Sequence, residues 1–285
     1  MNAAAGLERL ADWVGRTETA QDAVGAAPVA LLAALLDRDE APPAPGDPIP
    51  PLAHWLYFLP THRQSELGED GHPRRGGFLP PVPLPRRMWA GSRIEFLGPI
   101  RIGEPVRRVS RIAAVKVKEG RSGPLVFVTV RHEVSGPGGL ALSDEHDIVY
   151  RGAEGAAVAP AVAAPTGEAW SREIRPDPVL LFRYSAATYN GHRIHYDQPY
   201  ATAVEGYPGL VVHGPLVATL LVDLLRRNRP GTELASFSFR ALRPLFDTAP
   251  FSACGLPDEP ARSARLWTRD AEGAITMDAT AAWRP

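Results

Sequence analysis

The sequence predicts an α+β protein in which one pattern, a buried helix followed by an antiparallel sheet, occurs twice. Two almost continuously apolar segments, residues 27–36 and 215–226, have the length of buried helices. Each precedes a series of short alternating or β-branched segments separated by turn signals. A helix wrapped by an antiparallel sheet is the hot-dog arrangement, and one such sheet leaves edges that a second can cover. The predicted fold is therefore a double hot-dog, two antiparallel sheets each wrapped around a central helix.

The first half begins with helices and then loses its regular pattern. Residues 4–16 carry apolar side chains at helical spacing, and residues 27–36 form the predicted buried helix. The Pro-rich segment 41–51 cannot continue that helix, because proline removes a backbone donor. Residues 53–59 are predicted to form a strand. Residues 61–87 hold DGHPRRGG and PPVPLPRR; a loop of this length is uncommon and often functional, although its composition also fits a solvated loop.

From Met88 to Tyr150 the pattern is that of an antiparallel meander. Its alternating and β-branched segments are separated by Gly-containing turn signals near residues 103, 120–123 and 136–139. Residues 152–168 form an Ala-, Gly- and Pro-rich tether, predicted to be an interdomain linker. The chain is thus predicted to contain a first domain at 1–151, this linker, and a second domain at 169–285.

The second domain repeats the order of elements in the first. Asp177 as N-cap and Pro178 in the first turn predict the start of a helix. The second buried helix follows, and Asn228–Gly231 carry the signals that end it. Four strands are predicted after this helix, at residues 234–242, 251–255, 264–269 and 275–283.

Composition and charge exclude several classes of function. The 285 residues carry a net charge of −1, so no overall field would attract nucleic acid or an anionic membrane. Cys254 is the only cysteine, which excludes an intrachain disulfide and a cysteine-based zinc site. The N-terminus lacks the apolar segment of a secretory signal, and the longest apolar runs are too short to span a bilayer. We expect a cytoplasmic protein.

The stretch from Tyr184 to Leu220 concentrates polar groups suited to chemistry, including His192, His195 and His213. A metal site here would use His192, His195 and Asp197, but this spacing does not fit a facial triad, and zinc would need His213 as a further ligand. We therefore predict no metal. The sequence also contains no nucleophile elbow, phosphate loop or dinucleotide fingerprint.

Proton transfer is the enzymatic interpretation that remains for this stretch. His195 is the candidate general acid or base, because imidazole titrates near neutral pH. Gly214 precedes Pro215 at the start of the buried helix, where its N–H would stabilise a carbonyl oxygen that gains negative charge. Structural roles are the alternatives for two neighbours: Asp197 would be an N-cap, and His213 a buried histidine that orients a loop.

Two segments, NGHRIHYD at residues 190–197 and LVVHGP at residues 210–215, resemble the hydratase motif of MaoC-type dehydratases, the (R)-specific enoyl-CoA hydratases. The chain is more similar to the branch that contains mesaconyl- and itaconyl-CoA hydratases and 3-hydroxyacyl-thioester dehydratases. The first-half segments DGHPRRGGFLPP and PLPRRMWAGSRIEF resemble the same branch. The resemblance implies a double hot-dog fold and hydro-lyase activity.

The same resemblance implies roles for three catalytic residues. His195 would act on water, and the Gly214 N–H would hold the thioester carbonyl. Asn190 stands where the MaoC motif has an aspartate, and an amide is not a general acid or base at neutral pH. Asn190 would hold the water or orient His195, so either His195 performs both proton transfers or Asp197 contributes.

The first half resembles the degenerate hot-dog of two-domain members, which holds the acyl chain rather than reacting. Arg86, Arg87 and Trp89 at its start are candidates for a free substrate carboxylate or the phosphates of CoA. The full set of predicted substrate-binding residues is Tyr189, His192, Arg193, Asp197, His213, Arg86, Arg87 and Trp89.

The predicted function is reversible addition of water to a short, dicarboxylic enoyl-CoA such as itaconyl-CoA or mesaconyl-CoA. A 3-hydroxyacyl-thioester dehydratase of fatty-acid synthesis and a non-catalytic thioester-binding module are the alternatives. No cofactor is expected beyond the coenzyme A of the substrate. The acyl-CoA is the predicted partner, without nucleic acid or membrane, and a homodimer is considered because dimers are common in this fold.

Overall fold

The structure, a computed structural model, describes residues 7, 9–120, 123–152 and 160–285. Three α-helices lie within these ranges: α1 (Ala26–Leu35), α2 (Pro178–Ala187) and α3 (Gly214–Asn228). Ten strands accompany them: β1 (Thr17–Ala23), β2 (Arg86–Phe96), β3 (Pro105–Gly120), β4 (Gly123–Gly136), β5 (Gly139–Arg151), β6 (Trp170–Ile174), β7 (Leu234–Ala241), β8 (Phe251–Asp258), β9 (Ser263–Arg269) and β10 (Ile275–Trp283).

All ten strands form one antiparallel sheet in the order β1-β3-β4-β5-β2-β7-β10-β9-β8-β6. The first five strands in this order belong to the first half of the chain and the other five to the second half. The halves join where β2 pairs with β7, from Gly91 opposite Arg240 to Glu95 opposite Ser236. The double hot-dog is confirmed, but the expected two sheets are continuous, because pairing at this junction satisfies both strand edges.

Each half of the sheet packs around its own helix. In the first half, Val29, Leu32 and Leu35 of α1 are buried in the main core. In the second half, every residue of α3 from Leu216 to Leu225 is buried. The apolar composition that predicted two central helices therefore reflects burial on nearly all sides. Helix α2 packs on α1 and so brings the segment before the second central helix against the first half.

Several local predictions were wrong or incomplete. Residues 53–59 do not form a strand; Ala53–Leu56 form a 3₁₀ turn, entered through Leu52 with a positive φ of 69°. Strands β1 and β6 were not predicted, because they are short edge strands, and the exposed sequence of β1 is mostly polar. The predicted helix at 4–16 is, in its described part, a 3₁₀ turn at Arg9–Trp13.

The Asp177 cap is confirmed, since its carboxylate accepts a hydrogen bond from the Leu180 N–H at 2.7 Å. The linker prediction falls partly on residues 153–159, which lie outside the described residues. Just after them, Ala163 forms an isolated bridge to Ala274. The division into domains at 151 and 169 stays a prediction.

A buried carboxylate connects the two halves. Asp223 on α3 is 1% exposed and forms ion pairs with Arg172 at 2.8 Å, Arg227 at 2.7 Å and Arg38 at 2.8 Å. Arg38 follows α1, so this network ties the ends of the two central helices together. Breaking a buried network of this kind costs several kcal/mol, about 3–5 for a single pair. Among the described residues, no helix combines the length and apolarity needed to cross a membrane.

Candidate active site

Two loops bring His195 to the start of α3. The first loop follows α2 and contains His195; the second, residues 207–213, leads into α3. The Val211 N–H donates to the Ile194 carbonyl at 2.9 Å, and His195 Nδ1–H donates to the Val211 carbonyl at 2.7 Å. This second bond fixes the tautomer, so that Nε2 carries the lone pair. No protein group in the described chain occupies Nε2, which leaves it available as a base.

His195 is held neutral by its surroundings. The side chain is only 8% exposed, and burial lowers the pKa of His195 to about 4, although its bond to Val211 opposes the change. His213 stacks on it, with the ring centroids 3.7 Å apart and the planes inclined by 19°. The imidazole is therefore both oriented and unprotonated at neutral pH.

His213 supports His195 rather than facing the substrate. It is completely buried, and its Nε2 shares a 2.8 Å hydrogen bond with the Ser185 hydroxyl of α2. Burial and the nearby His195 hold the pKa of His213 well below its usual range. The expectation of a buried histidine that orients a loop agrees with this position, whereas direct substrate contact does not.

Gly214 is the first residue of α3, and Pro215 follows it. Its N–H has no acceptor in the described part of the chain, as expected for the first turn of a helix. A Cβ at this position would meet only one atom within 4 Å, the Trp89 carbonyl oxygen at 3.9 Å. The space beside the Gly214 Cα is therefore open, and its N–H lies at the positive end of a 15-residue buried helix.

Asn190 lines the main cavity of the protein. Its Oδ1 accepts a hydrogen bond from the His192 N–H at 3.0 Å, and its own N–H donates to the Ser185 carbonyl at 2.8 Å. With Oδ1 engaged, the amide presents its NH₂ group, which can only donate. Asn190 is thus suited to orient a water or a carbonyl oxygen and not to take up a proton.

The long loop at 61–87 reaches the same site, a contact that the sequence did not predict. The Arg193 N–H donates to the Asp70 carbonyl at 2.9 Å, and the His72 ring lies 4.1 Å from the His192 ring. A Cβ on Gly71 would lie 1.9 Å from the Gly191 carbonyl oxygen. The loop is therefore a packed part of the site, and interpretation as a solvated loop was wrong.

Asp70, His72 and His192 form a compact polar group. His72 Nδ1–H donates to the Asp70 carboxylate at 3.1 Å. Burial lowers the pKa of His192 to about 2. Burial also lowers the pKa of His72, because its effect outweighs the hydrogen bond to Asp70, which would raise it. Burial would raise the pKa of Asp70, but its bonds to His72 lower it overall. The three residues offer ligand atoms within 4.8 Å of one another, a different set from the one considered in the sequence.

The main cavity has a volume of about 880 Å³ and is lined by both halves of the chain. Asn190, Ser185, Pro215 and His72 line it, whereas His195 and Gly214 are not among its lining residues. Its first-half wall contains Trp55 and aromatic neighbours. A pocket of this size suits the acyl portion of a thioester, because its lining combines aromatic and apolar surface with polar groups that can orient a ligand.

A second polar cluster lies on the first-half wall of this cavity. Asp144 is 1% exposed, and its Oδ2 accepts bonds from His54 at 3.2 Å, Trp55 at 2.9 Å and His146 at 2.7 Å. Burial would raise the pKa of Asp144, but these partners, His146 first, lower it below its usual range. The sequence contained a signal for the cluster: Asp144 and His146 are two residues apart and so share one face of β5.

The other predicted binding residues divide into two groups. Tyr189 and Arg193 line the cavity, and Tyr189 is 64% exposed at its mouth. Asp197 is held by Arg193 at 2.7 Å and caps the following turn by accepting from the Tyr200 N–H at 3.1 Å. The capping role expected for Asp197 is confirmed, and these bonds direct its carboxylate away from proton transfer at His195.

The three candidates from the first half of the chain also differ in their positions and partners. Trp89 lines the cavity, where its ring lies 4.1 Å from that of His146. Arg86 is 3.5 Å from the Glu205 carboxylate and donates to the Glu205 carbonyl, so it is not a free cation for a substrate. Arg87 has no ion-pair partner in the described chain, and its charge helps to lower the pKa values of His72 and His192.

A buried neutral imidazole beside an unpaired helix N–H, in a double hot-dog with an acyl-sized cavity, defines a hydro-lyase of the MaoC-like class. The profile of the family "Hydroxyacyl-thioester dehydratase type 2" matches residues 52–247. The chain belongs to this family.

Two relatives and one solved structure give the range of similarity. The chain is 49% identical to mesaconyl-C(4)-CoA hydratase of Chloroflexus aurantiacus over 94% of its own length and 95% of that protein. It is 26% identical to the mitochondrial hydroxyacyl-thioester dehydratase type 2 of Schizosaccharomyces pombe, over 70% of the chain and 75% of the relative. A MaoC-like dehydratase from Phytophthora capsici superposes with a TM-score of 0.70 at 14% identity, covering 98% and 97% of the two chains.

Proposed function

We propose that the protein reversibly adds water to a short, carboxylate-bearing enoyl-CoA, with mesaconyl-C4-CoA as the leading substrate and itaconyl-CoA as a further candidate. The observation that carries the proposal is His195, whose neutral ring has no protein partner at Nε2 in the described chain and stacks on His213, the residue before the unpaired N–H of Gly214. Similarity to the Chloroflexus hydratase over nearly the whole chain supports the substrate class.

In the proposed reaction, His195 Nε2 takes a proton from water as the water oxygen bonds to the β-carbon. The electrons of the C=C bond then form an enolate, whose oxygen accepts a hydrogen bond from the Gly214 N–H. The imidazolium of His195 returns the proton to the α-carbon, so that one water is added in total. Asn190 donates to the water or to the substrate and keeps it aligned. Dehydration follows the same steps in reverse.

The second candidate function is dehydration of a longer 3-hydroxyacyl thioester, as the name of the matching family suggests. The greater similarity to the mesaconyl-C(4)-CoA hydratase favours the short substrate. We propose that no cofactor takes part and that coenzyme A enters only with the substrate. Cytoplasmic location and a homodimer stay predictions from the sequence.

The test compares four enoyl-CoA thioesters with the wild-type protein: mesaconyl-C4-, itaconyl-, crotonyl- and 2-octenoyl-CoA. Loss of the enoyl-thioester absorbance gives the rate, and mass spectrometry shows the added water. We expect the highest kcat/KM on one of the two dicarboxylic substrates. A higher kcat/KM on 2-octenoyl-CoA would favour the fatty-acid dehydratase, and no turnover on any substrate would favour a binding module.

A further inference from the structure

The first-half wall of the cavity contains a cation whose charge no buried group balances. Arg108, on β3, lines the cavity together with Phe58. Its Nε is buried without a hydrogen-bond partner in the described chain. Two carboxylates act on its charge, Glu18 and Asp22; the Glu18 carboxylate lies 3.9 Å from a terminal nitrogen of Arg108 and is itself 44% exposed.

An arginine in this position keeps its charge, because its guanidinium does not lose a proton in proteins. The guanidinium carbon lies 5.1 Å from the centre of the Phe58 ring, which holds the group against an apolar surface. A buried donor without an acceptor costs free energy that a ligand can recover. The cation is thus prepared for an anionic acceptor inside the cavity.

Two histidines line the same wall near Arg108, and His132 can add a donor to it. His132 uses Nδ1 for a 2.9 Å hydrogen bond with Ser110, and His146 uses Nε2 for Asp144. Their rings lie 4.4 Å apart, and both line the cavity. In the described chain, the second nitrogen of each ring has no protein partner. Nε2–H of His132 can donate to a ligand when its Nδ1 accepts from the Ser110 hydroxyl, whereas Nδ1 of His146 carries a lone pair, because its Nε2–H is used for Asp144.

Asp144 is the one carboxylate among the described residues that line this wall near the histidines, and protein donors already occupy its Oδ2, whereas its Oδ1 is buried without a partner. Its Oδ2 accepts all three bonds described above, two of them from imidazoles. The wall therefore combines the permanent cation of Arg108 with a donor from His132, and its one carboxylate, Asp144, is bound by three protein donors. Such a surface recognises a carboxylate, which an arginine can bind through two parallel hydrogen bonds.

We infer that Arg108, with His132, forms a subsite that binds the free carboxylate of a dicarboxylic acyl group. The inference rests on the proposed function, because it requires the thioester end to lie at Gly214. An acyl carboxylate fits this wall better than a CoA phosphate does, since the wall belongs to the aromatic acyl cavity. Arg108 would thus determine substrate specificity without taking part in the proton transfers.

The test uses two pairs of substrates that differ in one group. Mesaconyl-C4-CoA is paired with 3-methylcrotonyl-CoA, and glutaconyl-CoA with 2-pentenoyl-CoA; in each pair a methyl group replaces the carboxylate. Wild type, Arg108→Met and the charge-retaining Arg108→Lys are compared. Arg107→Met is the matched control, because Arg107 is the exposed neighbour on the same strand. Thermal unfolding of each variant verifies folding.

We expect Arg108→Met to lower kcat/KM on at least one dicarboxylic substrate by on the order of 100-fold, mainly through KM, and on its uncharged partner by less than about threefold. Arg108→Lys should recover part of the loss, and Arg107→Met should change neither. Equal losses on both members of each pair, or no loss, would overturn the inference. Wild-type turnover of only the uncharged substrates would overturn it while leaving the hydratase function intact; no turnover of any of the four would overturn both.

Discussion

At the scale of the residue, the site is built to keep histidines neutral. Burial is the largest influence on His195, His192 and His213, and in each case it lowers the pKa. Asp70, whose charge acts on His192, is bound by His72, and the position that carries an acid in the MaoC motif is Asn190. Asp70 and Asp197 are both held by protein donors, so they repel an anionic substrate less than free carboxylates would.

The pH profile of kcat/KM should differ from that of an enzyme with an ordinary histidine base. Because the pKa of His195 is lowered to about 4, the imidazole remains a competent base well below the ordinary histidine pKa. We expect kcat/KM to stay constant between about pH 7.5 and pH 5.5 and to decline only as the pH approaches the pKa of His195. A fall of kcat/KM to half its maximum near pH 6.5, the ordinary pKa of histidine, would contradict the environment described for His195.

The pH profile of kcat/KM should also be measured for the Asn190→Asp variant. A carboxylate beside the imidazoles favours their protonated forms, so the acidic limb of the profile should move to higher pH. Asn190→Ser, which adds no charge, should leave the limb unchanged. If Asn190→Asp lowered kcat/KM without moving the limb, position 190 would not control the charge state of His195.

At the scale of the element, the loop of residues 61–87 completes the site from the first half of the chain. Gly71 allows it to approach the catalytic segment, because φ is +86° there and a Cβ would collide with the Gly191 carbonyl. The contact also fixes Arg193 through the backbone of Asp70 and Glu69. The loop thereby places His72 against His192.

Gly71→Ala should therefore separate the loop from the catalytic segment. Gly46→Ala is the matched control, because Gly46 has a similar φ of +89° but no atom within 4 Å of the added Cβ. The free energy of unfolding of both variants should fall by about 1–2 kcal/mol, because alanine is strained at a positive φ. Only Gly71→Ala should lower kcat/KM as well, by about tenfold or more. Equal kcat/KM values for the two variants would show that the contact between the loops does not matter to catalysis.

Some helices, strands and site residues could be predicted from the sequence, and others could not. The central helices and most strands followed from local periodicity, and His195, Asn190 and Gly214 were found because they lie within one short stretch. His72 and Arg108 were missed as site residues, because they come from segments that only the tertiary fold brings to the cavity. The 3₁₀ turn at Ala53–Leu56 was mistaken for a strand, since a short apolar run fits either structure.

At the scale of the whole molecule, one continuous sheet makes the halves a single unit. Pairing of β2 with β7 aligns them, and the Asp223 network joins the ends of their helices. The cavity is lined by both halves, so neither half would form the site alone. The second half supplies the proposed base and oxyanion donor, and the first supplies Trp89, His72 and the wall around Arg108.

The central claim is that His195 activates the water that this protein adds to an enoyl-CoA. The most direct test incubates mesaconyl-C4-CoA in oxygen-18-labelled water with wild type, His195→Ala and Gln198→Ala, an exposed control three residues away. Wild type and Gln198→Ala should give a hydrated product carrying one labelled oxygen at similar rates, and His195→Ala should lower kcat by about 1,000-fold. A folded His195→Ala variant with kcat within about tenfold of wild type would contradict the account.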